Sequence, residues 1–179
     1  MNDIMLDLET MGSGPDSAIV AIGAVAFDPL AKELGGEFYR RVDLNSSMKN
    51  GGEVEAGTII WWLRQSESAR AELIGGGTQH IIDALEDLHN WVVSTFNLDT
   101  VRVWGNGASF DNVILRRAFE RLNTTCPWKF YNDRCYRTLK NMYPDVVLDR
   151  SGVHHHALHD AITQAKHLME MVKRGAKIN

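Results

Sequence analysis

The first apolar run of this chain, Ile4 to Leu8, is broken by a carboxylate at Asp7, and a second carboxylate, Glu9, follows two residues later. Residues two apart on a strand point to the same face, so both acids share one face of an element that otherwise reads as buried. Taking one carboxylate out of water is costly, and two side by side repel each other. A chain with this feature must either leave the strand end in solvent or bring a cation to it. The plainer outcome is a strand end with two solvated acids.

The rest of the pattern indicates an α/β protein. Ala18 to Phe27 and Glu37 to Val42 read as two further strands, with a Gly12-to-Pro15 turn after the first. Asn45 to Gly57 is polar and glycine-rich and reads as a mobile loop. Thr58 to Leu73 has helical periodicity, with Ile59, Trp62 and Leu63 on one side. Thr78 is placed to cap a second helix reaching about Phe96, whose apolar stripe is Ile81, Ile82, Leu85, Leu88 and Val92. Val101 to Trp104 reads as a fourth strand. Helices follow from about Ser109 to Leu122, from Asp133 to Tyr143 and from about His156 to Val172. Strands first, then alternating helix and strand, imply a mixed central sheet flanked by helices, with the ribonuclease H-like fold the best candidate.

The 179 residues suit one compact domain over 1–179, and 44 % hydrophobic residues suffice for a core. A net charge of −4 does not advertise a nucleic-acid binder, although an acidic cluster that holds cations still grips phosphates. Cys126 and Cys135 lack a CxxC spacing and read as free thiols in a reducing compartment. No apolar run approaches the roughly 20 residues of a membrane span. Met-Asn-Asp runs straight into the first strand, which is unlike a signal peptide, so a cytoplasmic protein is expected.

Two further acids sit where sheets of this class place functional groups. Asp111 opens a helix after a strand and a Gly105-Asn106-Gly107 turn; the plain alternative is an ordinary helix N-terminal charge. Asp160 lies near the start of the last helix behind His154, His155, His156 and His159, a density of histidine that suits a zinc- or nickel-like site or a solvated loop as well as catalysis. Together these carboxylates offer the oxygen ligands that Mg²⁺ and Mn²⁺ prefer.

Three segments carry a family resemblance. Asp7-Leu8-Glu9-Thr10 resembles the first motif of the DEDDh exonucleases, the group of ribonuclease T, oligoribonuclease and the bacterial polymerase III proofreading subunit. Asn106 to Asp111 resembles the second motif, and His155-His156-Ala157-Leu158-His159-Asp160 the third, H-x-A-x-x-D. The resemblance spans residues 4 to about 170. The Trp61-Trp62 pair and the Met11-to-Pro15 loop look nearest to compact phage and bacterial exonucleases of exodeoxyribonuclease VIII-like or RNase T-like kind.

The resemblance implies a metal-dependent 3′→5′ exonuclease acting on a nucleic acid with a free 3′ end. It further implies two Mg²⁺ or Mn²⁺ ions. Asp7 bridges both, Glu9 and Asp160 complete the site that holds the attacking water, and Asp111 contacts the second ion. His155 is the general base, with His156 a rival if the helix starts one residue differently. Relatives often form homodimers, and the helix bearing Trp61 and Trp62 is a candidate interface.

For the substrate, Thr10 and Met11 are expected at the terminal nucleotide, Phe110 and Trp61 as base-stacking surfaces, and Asn106 and Asn112 at sugar or phosphate. Core packing, capping and turn formation are the plainer roles of the same residues, with Trp62 in the core. Arg116, Arg117 and Arg121 form one basic group, and Lys129, Arg134, Arg137 and Lys140 another; each is a solvated face unless it lines the substrate path. A ribonuclease H-like endonuclease and a non-catalytic metal- or nucleic-acid-binding module are the competing readings.

Overall fold

The computed structural model describes residues 1–107, 109–150 and 152–178. Ala108, inside the second motif, lies outside them. Strands β1 (Asp3–Thr10), β2 (Ile19–Asp28) and β3 (Glu33–Arg41) form an antiparallel meander, and β4 (Arg102–Gly105) and β5 (Asp133–Cys135) extend it in parallel. The five-stranded order is β3-β2-β1-β4-β5, a mixed sheet of the ribonuclease H-like kind. The helices are α1 (Leu44–Lys49), α2 (Ala56–Leu63), α3 (Glu67–Ile74), α4 (Ile81–Thr95), α5 (Asp111–Arg121), α6 (Tyr136–Met142) and α7 (Ala157–Lys173).

Strand alternation divides the interior. Ile4, Leu6 and Leu8 of β1 face one layer, where Leu85 and Leu88 of α4 and Ile114 and Leu115 of α5 cover them. Met5 faces the other layer, with Trp104, Leu139 of α6 and the Ala161, Ala165, Leu168 stripe of α7. Asp3, Asp7 and Glu9 share the second face with Met5 by their spacing. Asp3 is buried and fully engaged: its carboxylate accepts from Arg102 Nε and Nη2 and from Trp104 Nε1. A third, smaller cluster of Met11, Ala18, Val20, Trp62 and Ala69 lies under α2 and α3.

One close approach decides where α7 begins. Asp7 pairs with Gly23 across the β1–β2 ladder, and the first residue of α7, Ala157, rests on Gly23. A Cβ at Gly23 would stand 2.2 Å from Ala157 C and 2.2 Å from Leu158 N. Glycine thus lets the helix start directly above Asp7, and Asp160 falls in its first turn. Because the obstruction is backbone, Gly23→Ala must lift α7 off the sheet. We expect a loss of roughly 1–3 kcal/mol or more from overpacking, read as a lower melting temperature.

Several local expectations need correction. Residues 45–57 are not an open loop: Asp43 caps α1, and the buried Ser46 and Ser47 hydroxyls accept hydrogen bonds from Ile81 N and Ile19 N. Their polarity serves the backbone of neighbouring core elements rather than solvent. The expected Thr58–Leu73 helix is two helices, because Ser66 ends the first stretch by capping α3 through Ala69 N. Ile59 and Leu63 point outward while Trp62 alone of α2 is buried. The cap of α4 is His80, not Thr78, and Ile82 is exposed. Asp133–Cys135 is an edge strand before α6, not the start of a helix. Both cysteines are free. Among the described residues, no helix is long and apolar enough to cross a membrane.

Candidate active site

The carboxylates separated in sequence converge at the carboxyl end of β1. Ligand oxygens of Asp7, Glu9 and Asp160 all lie within 4.8 Å of one another. Glu9 is 6 % exposed, and its buried Oε1 has no hydrogen-bond partner among the described residues. Asp111 stands beside the cluster with its oxygens engaged, Oδ1 accepting from Leu8 N at 3.1 Å and Oδ2 from Asn106 N at 2.6 Å. Those bonds tie the start of α5 to β1 and to the turn after β4. Gly105 makes room there, since a Cβ would sit 2.2 Å from Asn112 Oδ1.

The electrostatics are those of a nest in which negative charge outweighs the one guanidinium, that of Arg150, paired with it at Asp160. Burial, then the charges of Asp111, Glu9 and Asp160, hold the Asp7 carboxyl well above its usual range. Glu9 is raised likewise, by burial first and then by Asp160, Asp111 and Glu72. Burial pushes Asp111 up to about 6 despite the N–H donors that lower it. A carboxyl raised in the folded state favours folding while protonated, so that stability is lost as pH rises through the folded value. Asp7→Asn should therefore raise the melting temperature of EDTA-treated protein, and more at pH 8 than at pH 5. Each kcal/mol relieved reads as about 2–4 °C. Gln164 Nε2, which donates to Asp7 Oδ1 at 2.7 Å, has the same oxygen to meet in the asparagine.

An all-oxygen donor set, a buried oxygen without a partner and carboxyls raised by mutual repulsion fit hard divalent cations.

His155 sits at the rim with φ +65°, a left-handed conformation that histidine adopts more readily than most residues. Its own N–H donates to Asp160 Oδ2 at 2.9 Å. Trp61 and Trp62 meet its ring edge-on at 4.8 Å and 5.8 Å between centroids. Burial chiefly, then His154, keeps the imidazole below its usual value and so neutral at physiological pH. His156, the rival base, is the residue before α7, makes no side-chain capping bond and turns away to stack on Tyr39 at 4.3 Å.

A cleft of about 390 Å³ opens over the carboxylates. Of the expected substrate contacts, Thr10, Trp61, Asn106 and Phe110 line it. Met11 and Asn112 do not. Met11 packs in the third apolar cluster, and Asn112 Nδ2 donates to Val103 O and Asp133 Oδ1, joining α5 to the sheet. Trp61 is 42 % exposed and Trp62 only 3 %, with Trp62 Nε1 donating to Thr10 O. The basic groups separate as well. The α5 arginines are committed to Asp133, Asp16 and Glu120, whereas Arg137 and Lys140 of α6 line the cleft. Sequence reasoning missed Gln164, although it lies one helical turn after Asp160. It also missed Arg150, whose Nη1 donates to Asp160 Oδ1 at 3.2 Å.

The profile of the Rv2179c-like 3′-5′ exoribonuclease domain matches residues 2–172. The chain belongs to that family. The exodeoxyribonuclease of Enterobacteria phage T4 is 30 % identical to it over 161 residues, 77 % of this chain and 70 % of the phage protein. Among solved structures, the nuclease domain of 3′hExo, a DEDDh family member bound to rAMP, superposes with a TM-score of 0.62 at 16 % identity, covering 99 % of this chain and 94 % of that one. S. pombe Pop2p in its Mg²⁺- and Mn²⁺-bound form gives 0.64 at 14 % identity, over 97 % and 84 %. This Rv2179c-like chain is a divalent-metal-dependent 3′→5′ exonuclease that binds nucleic acid.

Proposed function

We propose that the enzyme removes nucleotides singly from the 3′ end of single-stranded RNA or DNA, or of a 3′ overhang, releasing 5′-mononucleotides with two Mg²⁺ or Mn²⁺ ions. The observation that carries this reading is the buried Glu9 Oε1, without a hydrogen-bond partner among the described residues, set among mutually repelling carboxylates. Asp7, Glu9 and Asp160 would hold the ions with Asp111 alongside, and when bound the ions supply Lewis acidity toward the phosphodiester and the attacking water. Gln164 fixes the rotamer of Asp7, and the N–H groups of Leu8 and Asn106 fix Asp111. His155 takes the proton of the water at a ring nitrogen, its ring steadied by the edges of Trp61 and Trp62. Trp61 and Phe110 offer faces for the terminal base, and Thr10 and Asn106 border its sugar. Met11 and Asn112 act as supports beneath these groups.

The family is named for exoribonucleases and the phage relative for exodeoxyribonuclease, so either sugar fits the reading. Matched RNA, single-stranded DNA and duplex DNA, labelled at the 3′ or the 5′ end, test it. A 3′ label should appear at once in mononucleotide and a 5′ label in a shrinking ladder; internal fragments would instead mean an endonuclease.

Arg137 and Lys140 line the cleft beside Arg150, which is paired with Asp160, and are offered to phosphates. On single strands each phosphate neutralised contributes about −0.7 to the slope of log affinity against log salt. Arg137→Gln and Lys140→Gln should each flatten that slope by about 0.7, measured by fluorescence anisotropy in Ca²⁺. The homodimer belongs to the same reading, with the exposed Ile59, Ile60 and Leu63 of α2 as its contact, and sedimentation reports it.

A further inference from the structure

The exonuclease reading uses one histidine of the cluster between His154 and His159, and the structure sorts the others by direction. His156 and His159 stack on each other at 3.9 Å. His156 Nε2 lies 3.8 Å from Glu72 Oε2, and His159 Nδ1 accepts from Val153 N. Neither ring lines the cleft, although His156 Nδ1 has no hydrogen-bond partner among the described residues. His154 turns toward it. Its exposed ring stacks on His155 at 3.8 Å and 29° and lines the same cavity. One nitrogen of His154, one of His155 and one oxygen of Asp160 all lie within 4.8 Å of one another.

We propose that His154, His155 and Asp160 form a second metal site, suited to a borderline ion of the Zn²⁺ class, and that an ion bound there inhibits the exonuclease. The donor chemistry separates this site from the carboxylate nest. Two imidazoles and one carboxylate are a common zinc set, whereas Mg²⁺ seeks oxygen. In divalent order, Zn²⁺ outcompetes Mn²⁺ at nitrogen ligands. Tetrahedral zinc with bonds of about 2.0–2.1 Å needs ligands roughly 3.3 Å apart, a gap that rotation of the exposed His154 side chain closes. A fourth ligand would come from solvent.

Inhibition follows from which groups the ion takes. The His155 lone pair that ligates is one that no longer accepts a proton. Asp160 belongs to both clusters, so the same ion draws on a carboxylate that the oxygen site uses. Asp160 Oδ1 and Oδ2 already accept from Arg150 and His155 N, and a carboxylate retains lone pairs beyond those two bonds. The inhibitory half of the proposal rests on His155 being the base; the binding half does not.

The test uses the whole chain, stripped with EDTA and returned to millimolar Mg²⁺, with Co²⁺ as a visible-absorption probe and Zn²⁺ as inhibitor. His154 is exposed, so His154→Ala should keep the fold; because His154 also helps hold the His155 imidazole below its usual value, zinc inhibition is read against each protein's own rate in Mg²⁺ alone. The expected result is a tetrahedral Co²⁺ band in wild type, displaced by Zn²⁺ and absent in His154→Ala. The Zn²⁺ concentration for half-inhibition should rise at least about tenfold in the variant. Equal bands and equal inhibition in both proteins overturn the proposal. A band lost in Asp7→Asn but kept in His154→Ala puts the ion in the carboxylate nest and also overturns it. A band lost in His154→Ala with unchanged zinc inhibition overturns the inhibitory half alone. Wild type that fails to digest nucleic acid with Mg²⁺ sinks the functional reading, while the Co²⁺ comparison still decides the site.

Discussion

Asp7→Ala protein should release mononucleotides from a labelled single strand at about a thousandth of the wild-type rate or less, comparable with removing a group that faces developing charge. Asp7 occupies the middle of the nest: it feels Asp111, Glu9 and Asp160, and Gln164 holds it from α7. Its strand neighbours Leu6 and Leu8 lie in the opposite layer, so truncation leaves that core intact. In the metal-free protein the substitution also removes a repelling charge. Lost activity with an unchanged or raised melting temperature is therefore the expected pair of readings. Wild-type digestion by pure Asp7→Ala protein would remove the carboxylate nest from the chemistry.

His155→Asn is the second large effect. A positioned general base contributes typically 10²–10⁴-fold, and the variant should fall by about that much with Mg²⁺ saturating. Asparagine is chosen because His155 has φ +65°, where alanine is strained and asparagine is tolerated. The backbone bond from residue 155 N to Asp160 Oδ2 can then survive, leaving the ring as the main loss. Substrate affinity measured in Ca²⁺ should change little. A variant as fast as wild type would mean that another group takes the proton, and His156, stacked against Tyr39, is badly turned for it.

How much of this was legible beforehand depended on whether a residue's role was local. β1 and β2 follow from apolar, Val- and Ile-rich runs, the Asp7/Glu9 pair from charge within the first of them, and β3 only from Glu37 on, its start over 33–36 carrying no apolar run. The separation of Trp61 from Trp62 follows from adjacent residues on a helix pointing about 100° apart. β5 was not legible. It has only the residues Asp133–Cys135, half-buried and polar, and its pairing with β4 is set by the tertiary frame. The helix of Leu44–Lys49 hid in polar sequence because its serines serve the backbones of β2 and α4. Gln164 could have been found by its spacing from Asp160. Arg150 sits in a segment without periodicity, and nothing local points it at Asp160. Met11 and Asn112 went the other way: residues beside a motif turned out to support it from below.

The division between Asp7 and Glu9 on β1 and Trp61, Arg137 and Lys140 on short peripheral helices has an evolutionary consequence. The groups proposed to break the bond are anchored in the sheet and at helix starts packed against it, while those proposed to meet the rest of the polymer stand on separate, shorter elements. Grip on the length of the polymer can thus be retuned by remodelling those helices, whereas Thr10 and Asn106, proposed beside the terminal sugar, stay tied to the strand ends that carry the carboxylates.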